Sequence, residues 1–275
     1  MRISRSAVRL LASIAIAAVA LVNATNAASP AQKGPDCAQT PWSYHPPTGS
    51  AQWPSMPCCR ACGGDEQSPI DLTGAIHRSL PPLSFSYGAV PVQVLHNGHD
   101  IRAVLPANVP ANRRTLRIQG VAYELENFHF HTKSEHTLNG REWPIEIHMV
   151  HKGPGGKTVV VGLFIEPGPE NRELSKIWRN LPRVRCQREN IASFDLRGLL
   201  PQSRVSYRYR GSLTTPDCDQ EVDWNVLATP ITMLSAQIQV FRGVFSGVSF
   251  PDGNRRRPLQ PLNGRELKTD APRRR

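Results

Sequence analysis

The sequence predicts a mainly β fold of the α+β class, with one large, twisted, mostly antiparallel central sheet and short peripheral helices. Segments 123–131 and 145–151 alternate apolar and polar residues, as half-buried strands do. Segment 158–165 is a continuous valine-rich run, which is typical of a central strand buried on both faces. The 25 prolines among 275 residues favour loops and interrupted strands over long helices.

Helical signals are few, and each predicts a short helix. Segment 174–181 places apolar residues at i, i+3, i+4 and i+7, and Pro182 is expected to end that helix. A second helix is predicted from Ser235, as its N-cap, to about Phe241. Segment 205–210 alternates again and adds a strand. Because no repeat or linker divides these elements, we expect a single domain.

The N-terminal segment has the three-part layout of a secretory signal peptide. Arg2, Arg5 and Arg9 precede an apolar run at 10–22 and a stretch of small residues at 24–28. The alternative is a membrane anchor, but about thirteen apolar residues are too few to span a bilayer comfortably. We therefore expect an exported protein, periplasmic or extracellular, that keeps no membrane attachment after cleavage.

Cleavage is expected near Ala27 or Ala28, so that 1–27 is the signal peptide and 28–275 the domain. The six cysteines of an exported chain are more often paired than free, although their number allows fifteen pairings. Cys59 and Cys62 form a lone C-x-x-C, for which a redox or metal role is the alternative to structural crosslinking. We favour crosslinking because no second C-x-x-C accompanies it.

Much of the excess positive charge, formally +11 over the full chain, lies in two arginine triplets, 255–257 and 273–275. Basic runs bind nucleic acid or anionic surfaces in many proteins. Here no aromatic residues alternate with them to stack on bases. We therefore expect solvated basic loops, a disordered basic tail and no nucleic-acid partner.

The first predicted strand ends in Phe128-His129-Phe130-His131. Because side chains alternate along a strand, both histidines project to one face and both phenylalanines to the other. Two imidazoles about 7 Å apart can bind one metal ion. The same residues also describe a strand with phenylalanine toward the core and histidine toward solvent, so this motif alone leaves both interpretations open.

The second predicted strand favours the metal site. If the chain reverses at the turn dipeptide Asn139-Gly140, His131 and His148 are equally distant from the turn and become cross-strand neighbours. Glu146 shares the parity of His148, so its carboxylate could orient a ligand ring. Three neutral imidazoles without a fourth protein ligand describe a catalytic rather than a structural zinc site.

From about Trp42 to Arg265 the chain resembles the α-class carbonic anhydrases. The resemblance rests on separated motifs that occur together in the family's order: Trp42-Ser43-Tyr44, Gln67-Ser68-Pro69-Ile70, Asn97-Gly98-His99, Phe128-His129-Phe130-His131, Ser134-Glu135-His136-Thr137, Glu146-Ile147-His148-Met149-Val150-His151 and Gly211-Ser212-Leu213-Thr214-Thr215-Pro216. The motif-bearing core is therefore 42–265, followed by a basic tail at 266–275.

The resemblance implies reversible hydration of carbon dioxide to bicarbonate and a proton by a zinc-bound hydroxide. His129, His131 and His148 match the zinc (Zn2+) ligands. Thr214 matches a residue whose hydroxyl donates to a buried carboxylate, matched by Glu135, and thereby accepts a hydrogen bond from the hydroxide. The family also implies inhibition by sulfonamides and small anions.

Further matches concern the pocket and the proton path. His99 matches the family's proton shuttle, although a loop histidine after Asn-Gly is often only a solvated bystander. Tyr44 resembles a tyrosine that orders water, while Asn127 and Glu146 match hydrogen-bond partners of the ligands. The pocket positions are matched by Val150, Val160, Leu213, Thr215 and Trp224.

The resemblance also implies a disulfide between Cys62 and Cys218. For the remaining cysteines we expect two further bridges, each joining one member of the pair Cys58-Cys59 to another cysteine; the partners are Cys37 and Cys186. Three departures from the family stand out: Asn127 in place of glutamine, Arg102 beside the shuttle, and segment 254–258, which is one residue longer than the family's Asn-x-Arg-Pro.

Two other functions fit the same fold. A non-catalytic binding protein is expected to have lost a zinc histidine, whereas all three histidines, Thr214 and Glu135 are present. A zinc hydrolase of esters is the other alternative, and we expect ester cleavage as a side reaction only. The sequence therefore favours a hydratase.

Overall fold

The computed structural model describes residues 42–57, 59–245 and 255–272. In this part of the chain twelve strands form one sheet. They are β1 (Ile76–His77), β2 (Ser84–Tyr87), β3 (Ala89–His96), β4 (Ile101–Val104), β5 (Arg114–Ile118), β6 (Val121–Thr132), β7 (Ile145–Lys152), β8 (Thr158–Pro167), β9 (Arg188–Asp195), β10 (Ser206–Gly211), β11 (Val222–Met233) and β12 (Lys268–Thr269). The α-helices are α1 (Arg172–Arg179) and α2 (Ser235–Phe245).

The sheet runs in the order β1-β12-β10-β11-β8-β7-β6-β4-β3-β9, and β5 joins β2 to β6 at the side. Its pairs are antiparallel except β1–β12 and β8–β11. The prediction of a large, mostly antiparallel sheet is therefore confirmed. The two strands with the histidines lie side by side near its centre, covered by neighbours on both sides.

The two faces of β6 have different surroundings. Phe128 and Phe130 are buried in the main hydrophobic core. The Phe130 ring lies 5.2 Å from Trp178 of α1 and 5.6 Å from Phe241 of α2, so both helices cover this face. The opposite face carries His129 and is left for the site described below. The predicted alternation and the peripheral helices are thus both present.

Both helices differ from their predicted bounds. α1 ends at Arg179, before the predicted end at 181, because Asn180 caps it and the residue before Pro182 is biased away from helical geometry. α2 continues to Phe245 because Phe241 and Phe245 prolong its buried face. Ser235 is the first helical residue and not the N-cap, since the first helical bond runs from Ile238 N to the carbonyl of residue 234.

The register of the β6–β7 hairpin corrects one prediction. His148 lies directly opposite His129, whereas His131 lies opposite Glu146. The turn at Asn139-Gly140 does form, with φ of 52° and 76°, but it closes only the small bridge between residues 138 and 141. The connection is two residues longer on the β6 side of that bridge than on the β7 side, which shifts the strand register by two residues.

Several predictions concern residues at the ends of the chain. The predicted signal peptide, 1–27, lies outside the described residues, as do 273–275 of the basic tail. The rest of the tail is not disordered: Lys268 and Thr269 pair with β1 and β10, and Leu267 is buried. Within the described ranges, no helix is long and apolar enough to cross a membrane.

Candidate active site

Three buried histidines converge on one face of the central strands. His129 and His131 come from β6 and His148 from β7, with 8%, 1% and 1% of their surface exposed. The ring centroids lie 5.1 Å apart for the pair on β6, and those of His131 and His148 lie 4.5 Å apart. One nitrogen from each ring lies within 4.8 Å of the others, close enough to bind a single metal ion.

Each ring is oriented by an acceptor on its other nitrogen. His129 Nδ1 lies 3.3 Å from Asn127 Oδ1, and His148 Nε2 lies 2.9 Å from Glu146 Oε1. A metal ligand commonly donates its second N–H in this way, which fixes the tautomer and the ring orientation. The shorter amide of Asn127, a departure noted in the sequence, therefore still reaches its ligand ring.

The third ring is oriented by a main-chain acceptor. His131 Nδ1 lies 3.2 Å from the Arg255 carbonyl oxygen, so the unusual segment 254–258 supplies a partner through its backbone. The other nitrogen, His131 Nε2, is buried and has no hydrogen-bond partner among the described residues. A buried ring nitrogen that lacks a hydrogen-bond partner and lies beside two other imidazoles fits a metal-binding role.

The three rings are held in the uncharged form that binds metal. Burial is the largest cause, and it lowers the pKa of His129, His131 and His148 below the ordinary value of 6.5. The neighbouring imidazoles lower each pKa further, whereas Glu135 and Glu146 partly oppose this for the second and third ring. At neutral pH all three therefore present a lone pair, and the donor set of three neutral imidazoles is that of a catalytic zinc site.

Glu146 accepts four hydrogen bonds beneath the site. Its Oε2 accepts from the backbone N–H groups of Glu135 and His136, both at 2.8 Å. Its Oε1 lies 2.7 Å from His136 Nδ1 and 2.9 Å from His148 Nε2. Burial opposes ionisation, but the two imidazoles and these bonds outweigh it and lower the pKa of Glu146. A carboxylate therefore lies fixed behind the His148 ring.

Glu135 and Thr214 lie on the other side of the rings. Glu135 Oε1 accepts from Arg257 N at 2.7 Å, and Oε2 lies 3.5 Å from His131 Nε2. Burial raises the pKa of Glu135, while His131, the Arg257 N–H and the Thr214 hydroxyl lower it. Thr214 is buried, lines the cavity in front of the histidines and is close enough to hydrogen-bond this carboxylate.

Sequence reasoning assigned no role to His136 and Tyr209, which extend the network. His136 Nε2 lies 2.6 Å from the Tyr209 hydroxyl, which in turn donates to Ser68 Oγ at 2.8 Å. The chain His148–Glu146–His136–Tyr209 thus links a candidate ligand on β7 to β10. A histidine within the motif at 134–137 was the available signal, because histidine is rarely buried without polar partners.

A cavity of about 490 Å3 opens at the site, and His129 and His148 are among its lining residues. The five predicted pocket residues all line it: Val150, Val160, Leu213, Thr215 and Trp224. Trp224 is held in place by a 2.9 Å bond from its Nε1 to the Ser212 carbonyl. The lining therefore has an apolar part, the apolar wall, and a polar part, the polar wall, a combination common in sites for small molecules.

The predicted shuttle lies on the polar wall of this cavity. His99 lines it and stacks on Trp42, with ring centroids 3.8 Å apart and planes 11° apart. Tyr44 is not among the lining residues: it packs edge-on behind Trp42 and lines a separate cavity of about 370 Å3 that also reaches Glu135. The predicted water-ordering tyrosine is thus placed behind the wall.

Arg102 enters the same cavity as half of an ion pair. Its Nη2 lies 2.8 Å from Asp100 Oδ2, and Asp100 is almost completely buried. Burial raises the pKa of Asp100, but the guanidinium and its hydrogen bond outweigh burial and lower it. The unusual cation beside the shuttle is therefore accompanied by the carboxylate of Asp100, which lies two residues before it in the chain.

The segment 255–257 contradicts the prediction of solvated basic loops. Arg255 and Arg257 are each only 2% exposed. Arg257 Nη1 donates to Gln67 Oε1 at 2.7 Å and to the Ser68 carbonyl at 2.9 Å. Buried guanidinium groups are tolerated here because carbonyl and amide oxygens surround them, which a count of charges along the sequence does not reveal.

The predicted disulfide between Cys62 and Cys218 is present, with Cα atoms 4.8 Å apart. The bond closes the loop that follows Thr214. Within that loop Cys218 N also donates to the Thr215 carbonyl at 2.8 Å. A bridge between Cys59 and Cys186, which was one of the expected pairings, is not formed. Cys59 is buried, whereas Cys186 is an exposed free thiol. Cys37 and Cys58 lie outside the described residues.

Comparisons with known proteins agree with this geometry. The model of the eukaryotic-type carbonic anhydrase family matches residues 48–271. A carbonic anhydrase of Klebsiella pneumoniae is 37% identical over 229 residues, covering 82% of this chain and 89% of the relative. The solved complex of the α-carbonic anhydrase of Thermovibrio ammonificans with the inhibitor sulfanilamide has a TM-score of 0.75 and 38% identity, covering 83% and 98%.

A second solved structure, the α-carbonic anhydrase of Photobacterium profundum, has a TM-score of 0.74 and 35% identity, covering 83% of this chain and 100% of that one. The matches span the sheet, the three histidines and the cavity. Members of the α class are zinc enzymes, and the buried histidine triad provides the donor set that such an enzyme needs. The chain therefore belongs to the α-carbonic anhydrase family of enzymes.

Proposed function

We propose that this enzyme binds zinc at His129, His131 and His148 and hydrates carbon dioxide reversibly to bicarbonate and a proton. The convergence of three free ring nitrogens within 4.8 Å carries this proposal. The partners on the opposite ring nitrogens support it, because they leave Nε2 of the first two rings and Nδ1 of the third for the metal. Among the described residues no fourth protein ligand is grouped with these three rings, so a bound zinc would keep one coordination position for solvent.

In carbonic anhydrases generally, zinc lowers the pKa of its water to about 7 and so supplies hydroxide at neutral pH. The chain's own contribution is orientation. The Thr214 hydroxyl has a single proton, and when it donates this proton to Glu135 it can only accept on the side of the cavity. A nucleophile held by a bound zinc would then donate its proton to Thr214 and turn a lone pair toward the substrate.

The apolar wall selects the substrate. Val150, Val160 and Trp224 offer no charge and no donor toward the cavity at the place where a linear, uncharged molecule would lie. Carbon dioxide binds such a surface weakly, whereas the charged bicarbonate product is better solvated in water. This difference favours product release.

The decisive experiment measures metal and turnover in the same preparation. The mature chain is purified, its zinc content is determined, and carbon dioxide hydration is followed by stopped flow before and after chelation. We expect one zinc per chain, hydration above the buffer rate, loss on chelation and recovery with added zinc. Stoichiometric zinc without hydration above the buffer rate would refute the proposed reaction.

We also propose that sulfonamides inhibit the enzyme by binding in this cavity. The Thermovibrio ammonificans relative was solved with sulfanilamide. In this chain the cavity is lined by His129 and His148 and by an apolar wall that can hold an aromatic ring. Titration calorimetry with sulfanilamide should show binding to the zinc-loaded protein and none to the chelated protein.

We propose, finally, that residues 1–27 direct export and are removed. The basic, apolar and small-residue regions support this, as does a disulfide between Cys62 and Cys218, which is stable in an oxidising compartment. The intact mass of protein recovered from the periplasm or medium should correspond to cleavage near Ala27 or Ala28. A mass that includes Met1 would contradict export with processing.

A further inference from the structure

Arg255 touches both the histidine centre and the loop that carries His99. Its backbone N–H donates to the Thr132 carbonyl, and its own carbonyl accepts from His131 Nδ1 at 3.2 Å. Its guanidinium turns the other way, and Nη2 donates to the Gly98 carbonyl at 2.6 Å. One residue therefore holds a metal-ligand candidate with its backbone and the residue before His99 with its side chain.

The Arg255 guanidinium is fixed in this position. Its central carbon lies 4.0 Å from the centroid of the Phe245 ring and 5.9 Å from that of Tyr44, so it interacts with both aromatic faces. Burial lowers the pKa of Arg255 to about 10, which still leaves it protonated at neutral pH. The loop before His99 is therefore in contact with a permanent, buried positive charge.

His99 is held as firmly as the arginine. Its ring stacks on Trp42, and its backbone N–H donates to Asn97 Oδ1 at 2.8 Å. Its Nδ1 is buried and has no hydrogen-bond partner among the described residues. A proton placed on this ring would therefore gain little from fixed neighbours.

The charges around His99 oppose its protonation. Burial is the largest cause and Arg255 the second, and together they lower the pKa of His99 to about 4. Asp100 raises it, whereas Arg185 and His96 lower it further. Arg185 contributes from the opposite side of the loop, where its side chain packs over Gly98.

We propose that Arg255 is a positioning residue for proton release: its guanidinium fixes the loop that presses His99 against Trp42, and its charge opposes protonation of the His99 ring. The inference rests on the proposed hydratase function. A water bound to a catalytic zinc would have a pKa of about 7, whereas the pKa of His99 is about 4. Transfer of a proton from that water to His99 would therefore be unfavourable by a factor of about 10³. Proton release in weak buffer is then slowed by a residue that also supports the metal centre.

The test replaces the charge and keeps the volume. In Arg255→Met the backbone carbonyl is retained, and we expect the NMR titration of His99, assigned with His99→Ala, to move upward from about pH 4. Because proton release follows bicarbonate formation, its rate enters kcat and not kcat/KM. We expect kcat in weak buffer to rise relative to kcat/KM by about threefold for each pKa unit gained.

Three comparisons separate charge from structure. Arg255→Lys keeps a cation and should leave the His99 titration near that of the wild type. Arg255→Met in the His99→Ala background should lose its effect on kcat. If Arg255→Met does not fold, Arg185→Met removes the exposed cation on the other side of the loop and should raise the His99 pKa by a smaller amount.

An unchanged His99 titration in the methionine variants would overturn the proposal, as would an equal shift in Arg255→Lys and Arg255→Met. The NMR readout needs no turnover. Failure of this proposal, seen as an unchanged His99 titration, is therefore distinguishable from failure of the proposed function. The latter would appear as folded, zinc-loaded protein that does not hydrate carbon dioxide.

Discussion

β7 carries two buried histidines on opposite faces, His148 and His151, and their surroundings explain why only one belongs to a metal site. Burial lowers the pKa of both. His148 meets two other imidazoles and is backed by the Glu146 carboxylate. His151 lies between the Tyr87 hydroxyl, at 2.6 Å, and the carbonyl of residue 159, at 3.3 Å.

The comparison shows that a buried, neutral histidine is not itself a sign of metal binding. Both ring nitrogens of His151 have protein partners, so no lone pair is left for an ion. On the site face, each ring has one nitrogen with an acceptor and one directed at the other rings. A shared direction of free nitrogens distinguishes the two faces of the strand.

The largest difference is expected when one histidine on each face of β7 is replaced in a separate variant. His148→Gln should lose stoichiometric zinc and all measurable hydration, because only two imidazoles remain at the centre. The matched variant His151→Gln should keep its zinc. Metal analysis of the two purified proteins checks this, and equal zinc contents would remove the distinction between the faces.

The next effect concerns the hydroxyl above the rings. Thr214→Val keeps the shape but removes the group that accepts from the nucleophile and donates to Glu135. We expect kcat/KM to fall by about 10²- to 10³-fold with zinc retained. Thr214→Ser should restore most of the rate in stopped-flow assays, and a valine variant as active as the serine variant would contradict the assigned orientation.

A smaller effect is expected behind the His148 ring. Glu146→Gln replaces a carboxylate that accepts four hydrogen bonds by an amide that can accept only at its oxygen. Zinc affinity should fall by about 10- to 100-fold in competition with a chelator. Glu166→Gln, which removes a carboxylate paired with Arg141 near the surface, is the control and should leave zinc affinity unchanged.

His151, on the face of β7 opposite His148, should determine part of the loss of stability at low pH. Burial lowers the pKa of His151 to about 4, below the 6.5 of an unfolded histidine, so the unfolded chain binds a proton first as pH falls. Above pH 6.5 this group leaves the free energy of unfolding unchanged. As the pH falls from 6.5 to about 4, the free energy of unfolding decreases by about 3 kcal/mol in total. Denaturation of metal-free His151→Gln at pH 7 and 4.5 should show a shallower pH dependence than the wild type.

The smallest effect is expected at the mouth of the cavity. Because the pKa of His99 lies near 4, the ring is a weak proton acceptor, and His99→Ala should lower kcat in weak buffer by less than about tenfold. Added imidazole should accelerate the wild type and the variant alike. A loss of a hundredfold or more would show that His99 carries the proton in spite of its surroundings.

The sequence predicted the directions of side chains better than the pairing of strands. Alternation placed His129 and His131 on one face because that rule is local. It could not give the register, since the long arm of the hairpin is shaped by backbone N–H groups of residues 135 and 136 that donate to Glu146. Family motifs were needed to find Thr214, which is 66 residues beyond His148 in the chain.

The basic segment at 255–257 shows a second limit. Three consecutive arginines in a sequence indicate solvated charge, yet Arg255 and Arg257 are buried against carbonyl oxygens and aromatic rings from distant segments. Their partners are separated from them by more than 150 residues in the cases of Gly98 and Ser68. Such contacts follow from the closed fold and not from local sequence.

The most direct test of the metal centre is X-ray absorption at the zinc edge of the loaded wild-type protein. We expect first-shell scattering from three imidazole nitrogens and one light atom from solvent, at the distances of four-coordinate zinc. In His148→Gln the imidazole contribution of any bound zinc should fall, and in His151→Gln it should stay at three. Sulfur in the first shell, or a fourth imidazole, would contradict a centre built from His129, His131 and His148.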